Sequence, residues 1–186
     1  MKFSGIRMMS IDMLGLSQIY LNADKIASVS EWFDPHCMEN FSPLPVHDFG
    51  NNVYTLTDGH TRAYVAYKSG VRVLPVSYDN DVVAGEAGQM LYRADLDWCR
   101  RLGLSHIKQL GNRILNDSAY QKLWIRRCDR SYNLLTKASC AERNKLQKSV
   151  PDLFLYGASE DKSTLYFEDM AGRLFFFKDS ILLPET

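Results

Sequence analysis

The stretch Val53-Tyr-Thr-Leu-Thr-Asp-Gly-His-Thr-Arg-Ala-Tyr-Val-Ala-Tyr67 runs a strand straight into a helix with no spacer, a junction that can hold a phosphate. Val53, Thr55 and Thr57 alternate with Tyr54 and Leu56, as pleated backbone requires, and Ala63 to Lys68 then suits a helix that stops at Gly70. Asp58 stands where an N-cap belongs. Gly59, lacking a side chain, lets a ligand approach the backbone. The N–H groups of His60, Thr61 and Arg62 converge beside the positive end of the helix. Phosphate is the ligand such a turn suits, and Arg62 can add a two-pronged grip on its oxygens.

Around this junction the chain reads as mixed α and β. Arg7 to Asp12 is an expected strand, and Ser17 to Phe33 a connection leading into a short helix capped by Asn22, with Ile26, Val29 and Phe33 on one face and Trp32 extending it. Pro45 to Phe49 and Val53 to Thr57 read as strands joined by a hairpin turn at Gly50-Asn51-Asn52. Val71 to Tyr78 is a further strand, which Pro75 pushes toward a sheet edge. From Tyr92 the spacing becomes helical. Leu91, Leu96 and Cys99 share a face, Asp95 and Asp97 stand near the helix start, and Gly103 ends it. A short helix follows from Ser105, and Asn116-Asp117-Ser118 caps another, from Ala119 to Asn133. Beyond Pro151, strands at Asp152–Tyr156, Thr164–Phe167 and Leu174–Lys178 predict a C-terminal β-hairpin, with Phe175 to Phe177 packed on the helical part. The expected fold is therefore α+β: a small sheet domain over residues 1–90, a helical subdomain over 91–150, and the hairpin region over 151–186.

At 186 residues and 46% hydrophobic, the chain can bury a sizeable core, which excludes disorder. No run approaches 18 uncharged apolar residues. Arg7 and Asp12 interrupt the N-terminal apolar stretch, so the expectation is a cytoplasmic protein with no membrane partner. Cys37, Cys99, Cys128 and Cys140 are scattered and read as reduced packing residues. His36, Cys37 and His47 lack a fourth ligand in register for a metal cluster. The net charge of zero is unevenly spread: residues 1–91 carry 6 basic and 10 acidic groups, residues 92–150 carry 13 and 5, and residues 151–186 carry 3 and 7. A basic middle segment either neutralises its acidic flanks or meets nucleic acid. For the second case Arg100, Arg101, Arg126, Arg127 and Arg130 are the expected contacts. Trp98, Trp124, Tyr92, Tyr120 and Tyr132 would then stack on bases, though aromatics at helical spacing more often fill a core.

The string Leu56-Thr57-Asp58-Gly59-His60-Thr61-Arg62-Ala63, followed by Ala66-Tyr67, Gly70-Val71 and Leu74-Pro75-Val76, resembles the ParB/sulfiredoxin superfamily over about residues 6–80. That resemblance implies a small sheet domain whose turn handles nucleotide phosphates. Sulfiredoxin-like members need a cysteine in the turn, a place held here by His60. ParB partition proteins bind CTP through an arginine-rich turn, and this chain keeps Arg62. Free serine kinases of the superfamily are the most similar at the turn, since they use an Asp-Gly-His sequence and an upstream glutamate as base. The equivalent region, Ser17 to Asn22, has no carboxylate, and Glu31 is the nearest glutamate.

Three functions follow as expectations. One is a nucleotide-dependent phosphotransferase or hydrolase using ATP, ADP or CTP. There Gly59, His60, Thr61 and Arg62 hold phosphate, Asp58 holds Mg²⁺, and His60 or Asp58 moves the proton. The second is a DNA-associated module working through the basic helices. The third is a sensor that binds a nucleotide or phosphorylated small molecule without turnover.

Overall fold

A computed structural model describes residues 2–50, 52–81, 86–129 and 132, and the backbone of four strands nearer the C-terminus. Five strands form a mixed sheet in the order β1-β6-β4-β5-β2: β1 Ile6–Ser10, β2 Leu14–Gly15, β4 Leu44–Asp48, β5 Tyr54–Leu56 and β6 Val73–Tyr78. β1 pairs antiparallel with β6, β6 parallel with β4, β4 antiparallel with β5, and β5 parallel with β2. The register puts Leu44, Val46, Leu56, Leu74 and Val76 on one face, all with no solvent exposure. The period-two alternation thus becomes one buried apolar layer. Pro75 corrects the edge expectation, because it lies on β6 between β1 and β4, in register with Met8.

Helices α1 (Ala23–Trp32) and α2 (His60–Lys68) pack against each other, and Ala63 and Ala66 of α2 join the buried core. Asn22 caps α1 as its sequence position predicts: its Oδ1 accepts from the N–H groups of Asp24 at 2.8 Å and Lys25 at 3.0 Å. Its Nδ2 donates to Asp117 Oδ1 at 2.8 Å, tying two distant segments together. Asn22→Ala removes the cap from a buried position and is expected to cost about 1–2 kcal/mol, read as a lower urea midpoint.

The helical segment does not form a separate core. Trp98, Cys99, Leu104, Ile107, Leu110, Tyr120 and Trp124 belong to the same buried cluster as the sheet residues. A two-residue parallel bridge, β3 (Leu21–Asn22) with β7 (Ile114–Leu115), links the segments. Helix α3 spans Glu86–Arg101, so Asp95 and Asp97 lie in its second half rather than near its start. It ends at Gly103 (φ 66), as expected. Asn116 caps α4 (Asp117–Tyr120), which continues through a wide π-type turn at Gln121–Ile125.

The chain is α+β, as expected. At the C-terminal end four strands replace the expected hairpin: β8 Phe154–Ala158, β9 Thr164–Glu168, β10 Leu174–Lys178 and β11 Ile181–Pro184 form an antiparallel sheet ordered β11-β10-β9-β8. The fourth strand escaped the sequence reading because Ile181-Leu182-Leu183 is short and runs into Pro184. The expected packing of Phe175 to Phe177 on the helices lies outside the described residues.

Candidate functional site

The strand-to-helix turn is clamped from three directions. Thr57 N–H donates to the Pro45 carbonyl at 3.0 Å, Thr57 Oγ1 donates to Asp79 Oδ2 at 2.7 Å, and the Tyr92 hydroxyl of α3 donates to the Thr57 carbonyl at 3.2 Å. Burial, with the carboxylates Asp95, Asp79 and Asp58 nearby, pushes the Tyr92 phenol up to about 12, so it remains a donor at physiological pH.

The N-cap of α2 is Gly59, not Asp58. Gly59 has φ 77 and ψ 16, and no side chain caps the helix. The left-handed residue turns the chain one position later than the aspartate position implied, which leaves Asp58 with an 82% exposed side chain. A Cβ on Gly59 would lie 2.6 Å from Leu44 Cδ2 and 2.9 Å from Arg62 Nη2, so the glycine is required by space as well as by conformation. The first intrahelical bond in this turn is Ala63 N–H to the Gly59 carbonyl, at 2.9 Å. Among the described residues, the N–H groups of His60, Thr61 and Arg62 have no protein acceptor.

Arg62 lies back over this end of the helix. Its Nη1 donates to the Ser42 carbonyl at 2.8 Å, its Nη2 stands 3.9 Å from Asp58 Oδ2, and its Cζ is 5.9 Å from the centre of the Phe41 ring. A guanidinium held beside three free amides, with only an exposed carboxylate at long range, is positioned for an oxyanion.

His60 has its Nε2 lone pair already engaged, which disfavours the expected role of general base. It is buried, and its Nε2 accepts the Ser17 N–H at 3.2 Å, so the neutral ring carries its proton on Nδ1, which has no partner. Burial lowers its pKa to about 4, against a smaller opposite pull from Asp58. The lone pair a base would use is already engaged. The ring joins the turn to the β2–β3 connection, where Ser17 Oγ also donates to the Leu56 carbonyl at 2.7 Å. Beside it, Gln18 Nε2 donates to the Tyr120 hydroxyl at 3.1 Å. Ser17 therefore meets the turn with a hydroxyl and an amide in the segment where the resemblance implies a carboxylate. Glu31 is exposed on α1.

The basic residues separate into different groups. Arg127 is corrected from a nucleic-acid contact to a core residue: it is 3% exposed, its Nη2 lies 3.4 Å from Asp95 Oδ1, and its Cζ sits 4.6 Å from the Trp124 ring and 5.3 Å from the Trp98 ring. Trp98, Trp124 and Tyr120 are likewise buried. Arg100, paired with Asp97 at 2.8 Å, and Arg101 and Arg126 are exposed, whereas Arg130 lies outside the described residues. Nothing in the local sequence marks the Asp95–Arg127 pair, because its members are 32 positions apart on different helices.

Among the described residues, no group of three or more His, Cys, Asp or Glu side chains is arranged to hold a metal ion. His47 is buried against Phe49 and Tyr78 and donates from Nδ1 to the Asp79 carbonyl at 2.7 Å. Burial raises the thiols of Cys99 and Cys128 to about 12, which makes them inert packing groups. Among the described residues, no helix is long and apolar enough to cross a membrane. No protein-family model and no curated protein matches the chain.

Proposed function

We propose that the Asp58–Arg62 turn binds the phosphates of a nucleotide or phosphorylated small molecule, in a chain of the ParB/sulfiredoxin type whose turn is most similar to that of the free serine kinases. The observation that carries this reading is the set of unpartnered N–H groups on His60, Thr61 and Arg62 behind a left-handed glycine, with the Arg62 guanidinium beside them. The incoming phosphate takes the place of Asp58 opposite Arg62. Asp58, freed from its long-range pairing, then faces the same phosphate and is the residue that would hold Mg²⁺, which would supply charge neutralisation there. His60 contributes position rather than proton transfer. A proton acceptor for an attacking hydroxyl would accordingly be Asp58 or a group of the substrate. A cytoplasmic setting fits the free thiols of Cys37, Cys99 and Cys128 among the described residues.

The test is calorimetry and thermal shift with ATP, ADP, CTP and inorganic phosphate, each with and without Mg²⁺, on the wild type and Arg62→Ala, with phosphate release followed in parallel. Charge-assisted bonds from Arg62 predict a loss of affinity of roughly 10- to 150-fold in the variant. The ligand-free melting temperature reports separately on the lost Ser42 contact. No stabilisation by any of these ligands would exclude the reading. Phosphate release separates a phosphotransferase or hydrolase from a sensor.

A further inference from the structure

Next to the phosphate turn lies an aromatic surface that the turn itself does not use. Trp32, the last residue of α1, is 46% exposed, the only one of the three tryptophans in the chain that faces solvent. Its indole leans on Phe33, with centroids 6.2 Å apart, and on the buried Phe41, at 6.5 Å and tilted by 47°. Phe41 in turn lies 5.9 Å from the Arg62 guanidinium, which folds over Gly59. The exposed Trp32, the buried Phe41 ring and the Arg62 guanidinium thus form a path of successive contacts leading toward the free amides.

The geometry points to Trp32 as the stacking platform for the base of a nucleotide whose phosphates occupy the α2 N-terminus, so that the ligand is a nucleoside diphosphate or triphosphate and not a bare phosphoryl compound. This inference rests on the phosphate reading of the turn. Three features give it content. Phe33 and Phe41 both contact the indole and each other, which restricts its motion and lowers the entropy lost on stacking. Arg62 can grip phosphate at one end of the path while shielding the Phe41 ring. Every nucleobase presents a π face, so a single exposed indole gains affinity without reading a hydrogen-bond pattern.

The experiment compares ADP with inorganic pyrophosphate, both with Mg²⁺, on the intact protein and on Trp32→Ala and Trp32→Tyr. Binding is measured by calorimetry and by tryptophan emission. Trp98 and Trp124 are buried, so solvent-exposed emission reports on Trp32. Stacking predicts that ADP quenches this emission and pyrophosphate does not. It also predicts that Trp32→Ala weakens ADP by roughly 5- to 150-fold with pyrophosphate affinity unchanged, and that Trp32→Tyr restores most of the loss. The unchanged pyrophosphate affinity also shows that the variant is folded. If ADP and pyrophosphate both bind the wild type and Trp32→Ala leaves ADP affinity within about twofold, Trp32 only covers Phe41, and the inference falls while the phosphate reading stands. If neither ligand binds, both fall.

Discussion

Arg127→Met is expected to destabilise the fold by about 3–5 kcal/mol, because it leaves Asp95 buried without its guanidinium partner. Asp95→Asn should also destabilise the fold, by taking the carboxylate charge away from the arginine held between Trp98 and Trp124. The double variant Asp95→Leu/Arg127→Met should return to within about 1–2 kcal/mol of the wild type, since apolar side chains of similar size avoid the desolvation of both charges. Urea midpoints of the four proteins form a double-mutant cycle. Arg126→Met, one residue away and exposed, is the control that should change little. Single variants that lose less than about 1 kcal/mol, or a double variant no better than the singles, would show that the pair is not held as described.

The same cycle carries a signature in pH. Burial raises the Asp95 carboxyl to about 7, with Arg127 pulling the other way. Its fold therefore favours the protonated form, a contribution fully present below pH 3.8 and lost as pH climbs toward 7. His60 has the opposite sign. Its folded pKa of about 4 lies below the ordinary 6.5, so its contribution is complete above 6.5 and is lost as pH falls through about 4. In the wild type these slopes oppose each other across nearly the same window. The double variant removes only the Asp95 slope, so its melting temperature should fall more steeply than that of the wild type between pH 6.5 and 4.

The contrast between His60 and Arg127 shows what local sequence can and cannot carry. The strand, the helix, the Asn22 cap and the antiparallel pairing of β4 with β5 are short-range consequences of side-chain alternation and turn chemistry, and each stands where the residues imply. The turn was legible for the same reason, but its detail was not. Whether Asp58 or Gly59 caps α2 depends on φ at Gly59, and Leu44, on a separate strand, leaves no room there for a side chain. The burial of His60 depends on Ser17, 43 positions away, and that of Arg127 on Asp95 and two indoles. A basic residue at a helical position gives the same local signal whether it ends in solvent or in a core, so charge counting over residues 92–150 could not separate Arg127 from Arg126. Pro75 failed as an edge marker because a proline withholds a single N–H, and the sheet order around it is set by the crossover through α2.

Gly59→Ala is the substitution that should separate the turn as scaffold from the turn as binding site. A methyl group at φ 77 meets the left-handed penalty of about 1–2 kcal/mol. It also meets the end of Leu44 at 2.6 Å and the Arg62 guanidinium at 2.9 Å. Leu44 is fully buried, so overpacking adds to the strain, for a total near 2–4 kcal/mol. The arginine has a freer end and yields first, which pulls Nη1 away from the Ser42 carbonyl. Phosphate affinity should consequently fall even at temperatures where the variant remains folded, because the methyl occupies the ground between Arg62 and the free amides. Leu44→Ala on the same background supplies the control. It relieves the contact at Cδ2 while opening a cavity, so it should recover part of the strain and none of the phosphate binding. Retention of full affinity in folded Gly59→Ala would mean that phosphate does not approach the backbone at this turn, and the amides of His60, Thr61 and Arg62 would then be answered by water alone.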